Sequence, residues 1–256
     1  MLILAYGVIY LLVFMTGICI GSFLNVVIYR VPRGINIAKG RSFCPKCNNI
    51  LTARDLVPLA SFGLLRGRCR FCGERISARY PVVESIGGAL AVLSVAVYWL
   101  TPQALAVFAA SCILTAVTFI DIDTQEIPYT LNILMTCLGV LAVFLFPEAG
   151  WGAHIIGMFC ISVPMIIVNF IVADSFGGGD IFLVAAAGLF LGWQNMLAAA
   201  FIGIIGGGIY GIYLLAGKKK GRKDHFAFGP FLSVGIGAAM FAGNDIVDLY
   251  LKIFGL

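Results

Sequence analysis

Four cysteines form two C-x2-C pairs, Cys44-Pro-Lys-Cys47 and Cys69-Arg-Phe-Cys72, with 21 residues between them. Two tight turns at this spacing can offer four thiolates to one tetrahedral zinc. Four protein ligands leave no open coordination position, so such a zinc would be structural and not catalytic. Disulfides or a redox pair are the competing readings. They are disfavoured because the surrounding segment is cytosolic by charge, where thiols stay reduced. Cys19, Cys112, Cys137 and Cys160 have no partner at ligand spacing and read as small buried apolar residues.

Two aspartates carry the second chemistry. Phe119-Ile-Asp121-Ile-Asp123 and Phe176-Gly-Gly-Gly-Asp180 each place a carboxylate where an apolar run meets a polar turn. An ionisable group at membrane depth points to function and needs a partner. No Lys or Arg occurs from Tyr80 to Gly217, so each aspartate is the other's best partner. Two carboxylates about 4 Å apart repel by about 4 kcal/mol at an effective dielectric near 20, so one holds a proton while the other is ionised. That shared-proton pair can activate water and protonate a scissile amide, which is peptide hydrolysis. Cation binding, as in an ion-coupled transporter, and helix capping are the alternatives. Gly177, Gly178 and Gly179 clear side chains for an extended substrate and allow backbone angles that other residues avoid. Asp123 turns to another helix face and reads as a solvated or supporting acid.

The elements that must position these groups are membrane helices. Of 256 residues 61% are hydrophobic and 11% charged, which excludes a soluble globular protein. Eleven of the 17 basic residues lie between Arg30 and Arg79 and five between Lys218 and Lys223. The apolar runs predict spans at 2–28, 82–100, 103–120, 130–146, 153–173, 181–191, 196–216 and 231–251. The expected fold is therefore an all-α polytopic membrane protein of about eight transmembrane helices. Its domains are a first helix (1–28), a cytoplasmic four-cysteine zinc domain (29–81) and a membrane core (82–256).

The positive-inside rule sets 29–81 in the cytoplasm and the amino terminus outside. Counting crossings from there puts Asp121, Asp174, Asp180 and the Lys218–Lys223 cluster on the cytoplasmic side. Nucleic-acid binding is excluded despite the net charge of +5, because the basic residues flank spans. The first segment lacks a basic start and a cleavage pattern, so it reads as a retained span. Gly206 to Gly211 matches a phosphate-cradle pattern but lies within a span, and Gly203, Gly207 and Gly211 read instead as helix packing. The Lys218–Lys223 cluster is a topology anchor able to touch anionic lipid heads. His154 and His225 receive no role.

These residues resemble the type IV prepilin peptidase (leader peptidase) family, within the GxGD-type membrane aspartyl proteases. The resemblance rests on Gly21 to Arg30, the four cysteines, Ile76 to Pro81 with Glu84, Asp121 followed by Ile127-Pro128, Gly177-Gly-Gly-Asp180 and Phe228-Gly-Pro-Phe231. It implies catalytic Asp121 and Asp180 in an enzyme of the bacterial cytoplasmic membrane. Such an enzyme cuts the basic leader from prepilin or pseudopilin precursors after a Gly, and methylates the new amino terminus with S-adenosylmethionine. Type IV pili, protein secretion or DNA uptake would be served. The family often has Lys two residues after the second aspartate, where this chain has Phe182. A metal-dependent lipid-modifying transferase using Asp121 and Asp123 is a further alternative.

Overall fold

The computed structural model describes residues 2–172, 175–216 and 227–254. Asp174, the Lys218–Lys223 cluster and His225 lie outside the described residues. Helices dominate; among the described residues there is no β-strand, only the isolated bridges Phe43 to Ile50 and Arg68 to Arg75. The chain divides into two compact units, Met1–Leu100 and Thr101–Leu256.

The first unit holds α1 (Leu2–Arg30), the short α2 (Ala60–Leu64) and α3 (Arg79–Tyr98). Helices α1 and α3 meet backbone to backbone. A Cβ on Gly17 would lie 2.6 Å from the Gly87 carbonyl oxygen, and one on Gly21 would lie 2.8 Å from Glu84 Cα. Small residues four apart permit this approach. Asn25 adds a side-chain amide that donates to the Tyr80 carbonyl at 3.3 Å. Arg30 is buried at the end of α1. Its guanidinium donates to the carbonyls of Asn36 at 3.0 Å and Lys39 at 2.6 Å, folding the chain back on the helix end.

The second unit holds α4 (Pro102–Thr124), α5 (Tyr129–Leu145), α6 (Gly150–Cys160), α7 (Ser162–Ile171), α8 (Gly178–Leu191), α9 (Trp193–Ala216) and α10 (Gly229–Phe254). Helix α4 is the most enclosed, burying Val107, Ala110, Val117 and Ile120. Helices α5 and α10 each pack against both α4 and α8. Gly203 and Gly207 face the 228–232 segment, where a Cβ on Gly207 would strike the Phe228 ring. His154 is buried with Nδ1 2.8 Å from the Leu189 carbonyl oxygen.

Among the described residues, six segments are long and apolar enough to cross a membrane: Ile3–Arg33, Arg79–Tyr98, Pro102–Thr124, Pro147–Ile171, Trp193–Leu214 and Gly229–Ile253. Tyr129–Leu145 and Gly178–Leu191 are apolar but shorter. Their 17 and 14 residues rise about 26 and 21 Å against a hydrocarbon core of about 30 Å. The run expected as one span over 153–173 is two helices broken at Ile161 (φ −112°). Pro164 has no N–H to give the Cys160 carbonyl, and its ring crowds that turn. Large outward side chains such as Phe170, Ile3 and Leu105 suit lipid. Cys19 and Cys137 are exposed among them and not buried as expected, whereas Cys112 is buried.

Candidate functional site

The four cysteine sulfurs Cys44, Cys47, Cys69 and Cys72 lie within 4.8 Å of one another, a group able to hold a metal ion. Zinc–sulfur bonds of about 2.3 Å in a tetrahedron set sulfurs about 3.8 Å apart, and Cys44 and Cys72 are at 3.9 Å. Two matching turns build the cluster. The Asn48 amide donates to the Cys44 carbonyl at 2.8 Å and the Gly73 amide to the Cys69 carbonyl at 2.9 Å. The Cys44 amide reaches the Asn49 carbonyl at 3.0 Å, and that of Cys69 the Glu74 carbonyl at 2.8 Å. Asn48 (φ 57°) and Gly73 (φ 72°) hold the same left-handed position, which Asn and Gly tolerate best.

The amides of Cys47 and Lys46 pull the Cys44 thiol down to about 7. The Glu74 backbone favours the Cys72 thiolate, but burial and the three other sulfurs outweigh it and push Cys72 up to about 12. Four thiolates this close together would need a cation between them. Beside the cluster, the Thr52 hydroxyl donates to Asp55 at 2.6 Å and its amide at 3.0 Å, while Arg70 pairs with Asp55 at 2.9 Å. Together they hold the Asp55 carboxyl below its ordinary value.

In the second unit, Asp121 lies in the last turn of α4, which closes on Gln125 in the left-handed region (φ 56°). Pro128 then starts α5. Asp180 lies in the first turn of α8, after the extended Gly177. Asp121 is buried. Both sequence-predicted carboxylates lie at the ends of helices that pack against α5 and α10, while Asp123 is exposed. Asp121 Oδ2 accepts the Gly229 amide at 2.8 Å. Asp180 Oδ1 is buried with no hydrogen-bond partner among the described residues.

The glycines act through space and not through unusual angles. None of Gly177, Gly178 and Gly179 has positive φ. A Cβ on Gly179 would lie 2.9 Å from Ile127 Cβ, whereas one on Gly178 would meet nothing within 4 Å. Phe182 packs edge-on to the Tyr129 ring, their centroids 6.4 Å apart.

Three positioning groups were not assigned from sequence. Asn132 on α5 is fully buried and donates to the Gly179 carbonyl at 3.1 Å. Asn169 on α7 grips Phe176 from both sides, accepting its amide and donating to its carbonyl at 2.8 Å each. Gly229 supplies the Asp121 donor from the start of α10. A polar Asn inside an apolar run was the available signal for the first two.

Fold and site together define a multi-pass helical membrane protein with carboxylates at two helix ends and a four-cysteine module in its amino-terminal unit. Residues 107–212 match the Type IV leader peptidase family, and residues 15–99 match the Bacterial Peptidase A24 N-terminal domain. The chain belongs to the type IV leader peptidase family. It is similar to the prepilin leader peptidase/N-methyltransferase of Aeromonas salmonicida (strain A449), with 33% identity covering 97% of each chain. Proteins of the same name in Burkholderia pseudomallei (strain 1026b) and Bacillus subtilis (strain 168) are 31% and 29% identical. These cover 93% and 94% of this chain, and 86% and 98% of their own. No solved structure matches the chain.

Proposed function

We propose that this chain is a membrane aspartyl endopeptidase that removes the basic leader of prepilin or pseudopilin precursors and then methylates the new amino terminus. The observation that supports the reading is that Asp121 and Asp180 sit at the ends of two apolar helices, in the last turn of α4 and the first turn of α8. One carboxylate has an oxygen held by a backbone amide, and the other has an oxygen without a protein donor. The ionised partner takes a proton from water as the water oxygen bonds to the scissile carbonyl carbon. The protonated partner gives its proton to the carbonyl oxygen, and on collapse the C–N bond breaks as the leaving amine gains a proton. The open space over Gly178 gives an extended substrate backbone its approach, with Gly177 and Gly179 beside it.

Cys44, Cys47, Cys69 and Cys72 hold a structural zinc that supplies folding energy to a cytoplasmic segment, residues 29–81, too polar to build a large core. S-adenosylmethionine supplies the methyl group: the amine nitrogen bonds to it, its bond to sulfur breaks, and the amine proton passes to water. The protein spans the bacterial cytoplasmic membrane with its amino terminus outside and residues 82–256 as peptidase core. Such a topology leaves both aspartates on the side where a precursor keeps its basic leader.

Co-expression with a prepilin, followed by mass measurement of the product, tests both steps. The expected product lacks the leader and carries one methyl group. An Asp180→Asn enzyme should leave the precursor whole, and full cleavage by that variant would refute the carboxylate assignment.

A further inference from the structure

The segments that lead into α8 and α10 serve different carboxylates, and they touch. The Phe176 and Phe228 rings lie 5.9 Å apart between centroids, at an interplanar angle of 47°. Phe176 directly precedes Gly177, the N-cap of α8, where a Cβ would come within 3.1 Å of Asp180 Oδ2. Phe228 directly precedes Gly229, whose amide donates to Asp121 Oδ2 at 2.8 Å. Each ring is thus one residue away from backbone that meets a carboxylate.

Both residues are anchored from other elements. Asn169 of α7 holds the Phe176 backbone through its amide and its carbonyl. The Phe228 carbonyl accepts the Phe231 and Leu232 amides at 3.0 and 3.2 Å, which opens α10, and Pro230 suits that first turn because it has no N–H to satisfy. The Phe228 ring lies over Gly207 of α9, where a Cβ would come within 2.6 Å of Cε2 and 3.0 Å of Cδ2. One turn earlier, Gly203 leaves room for Leu232, whose Cα would be 3.4 Å from an added Cβ. The glycine spacing on α9 therefore has a particular occupant, a ring joined directly to the Asp121 donor.

We propose that Phe228 is a positioning residue for cleavage: seated on Gly207 and against Phe176, its ring keeps the Asp121 donor in register with the segment entering α8. The inference rests on the reading of Asp121 and Asp180 as the cleaving carboxylates. Close-packed side chains pass a displacement on to their neighbours because the interior has little free volume to absorb it. A shift of the Phe228 ring carries the Gly229 amide with it on one side and presses on Phe176 on the other. The ring acts on the reaction through those two neighbours.

Leader release from a purified prepilin by the full chain in nanodiscs, resolved into kcat and KM, tests the inference on matched variants. Gly207→Ala sets a Cβ about 0.8 Å inside ordinary contact with the ring, whereas Gly208→Ala on the same helix meets nothing within 4 Å. Gly207→Ala should lower kcat about 10- to 100-fold with KM little changed, and should raise amide hydrogen exchange over 228–232. Gly208→Ala should match wild type in all three. Phe228→Leu should lower kcat by itself, and in that background Gly207→Ala should cost less than about twofold, because the added carbon has no ring to strike. Phe176→Leu should likewise lose most of its effect when combined with Phe228→Leu, and this pair decides the matter if Gly207→Ala does not accumulate.

Losses that simply multiply in either pair would overturn the proposal, as would a Phe228→Leu enzyme with wild-type kcat. Raised exchange over 228–232 with cleavage unchanged would overturn it as well, since the ring would then support the fold and not the reaction. Full cleavage by Asp121→Asn or Asp180→Asn would instead remove the carboxylate reading beneath it.

Discussion

Gly229→Ala tests whether the start of α10 sets the geometry of Asp121. The added Cβ would lie 2.8 Å from Asp121 Oδ2 and 3.1 Å from its Cγ, where ordinary contact begins at 3.4 Å. Helix or carboxylate must therefore retreat by about 0.6 Å, and the 2.8 Å amide bond is stretched with it. A hydrogen bond to a charged group contributes about 1.5–3 kcal/mol. A misplacement of about 1 Å in a catalytic group can cost about 100-fold. Both routes give a fall in cleavage kcat/KM of about 10- to 100-fold. The assay is leader release from a purified prepilin in nanodiscs, with zinc content and thermal melting as fold controls. Gly237→Ala on the same helix is the internal comparison, because a Cβ there meets nothing within 4 Å, and it should cleave like wild type. If Gly229→Ala cleaves within twofold of Gly237→Ala, the amide at 229 does not position the carboxylate.

Asp121→Asn and Asp180→Asn should each abolish cleavage, and the double variant should be no worse, since the pair acts as a unit; additive losses on mass-spectrometric assay would contradict this. Asp123→Asn should cost far less, and a loss as deep as that of Asp121→Asn would mean the wrong pair is named. Cys69→Ser should lower bound zinc, read by elemental analysis, and raise hydrogen exchange in 29–81 before it disturbs the second unit; a full complement of zinc would count against the cluster. Metal binding needs thiolates, so acidification through the Cys44 value of about 7 should weaken zinc at least about tenfold between pH 8 and pH 6, and a chelator competition that shows no pH dependence would refute it.

Local chemistry was readable in the sequence where one segment carries the whole signal. A C-x2-C turn contains its own ligands, and an Asp in apolar text stands out whatever its surroundings. The groups that aim those side chains were not readable in the same way. Gly229 and Asp121 are 108 residues apart, and Asn132 and Gly179 are 47 apart. Such pairings exist only once α5 and α10 pack against both α4 and α8. The glycines before Asp180 suggest both cleared space and conformational freedom; Gly177 has an ordinary φ of −65°, and Gly179 is needed because Ile127 leaves no room. The glycine contact of α1 with α3 needs two distant surfaces at once, Gly17 and Gly21 on one helix and Gly87 on the other. Pro164 was a visible reason to divide the fifth span, and its hydrophobic surroundings masked it.

The contact of α1 with α3 has a consequence for the segment they flank. Arg30 ends one helix and Arg79 begins the other, so residues 31–78 form an insertion whose two ends are fixed by a prebuilt helical hairpin. Because the hairpin already supplies end-to-end closure, a metal held by the four cysteines would need to organise only the interior of the loop. Closure entropy varies slowly with length, about 0.6 kcal/mol for each doubling. The insertion can therefore be lengthened, shortened or replaced by a plain turn while the hairpin stays intact. The helical hairpin and the insertion it carries are in this sense separable modules of one chain.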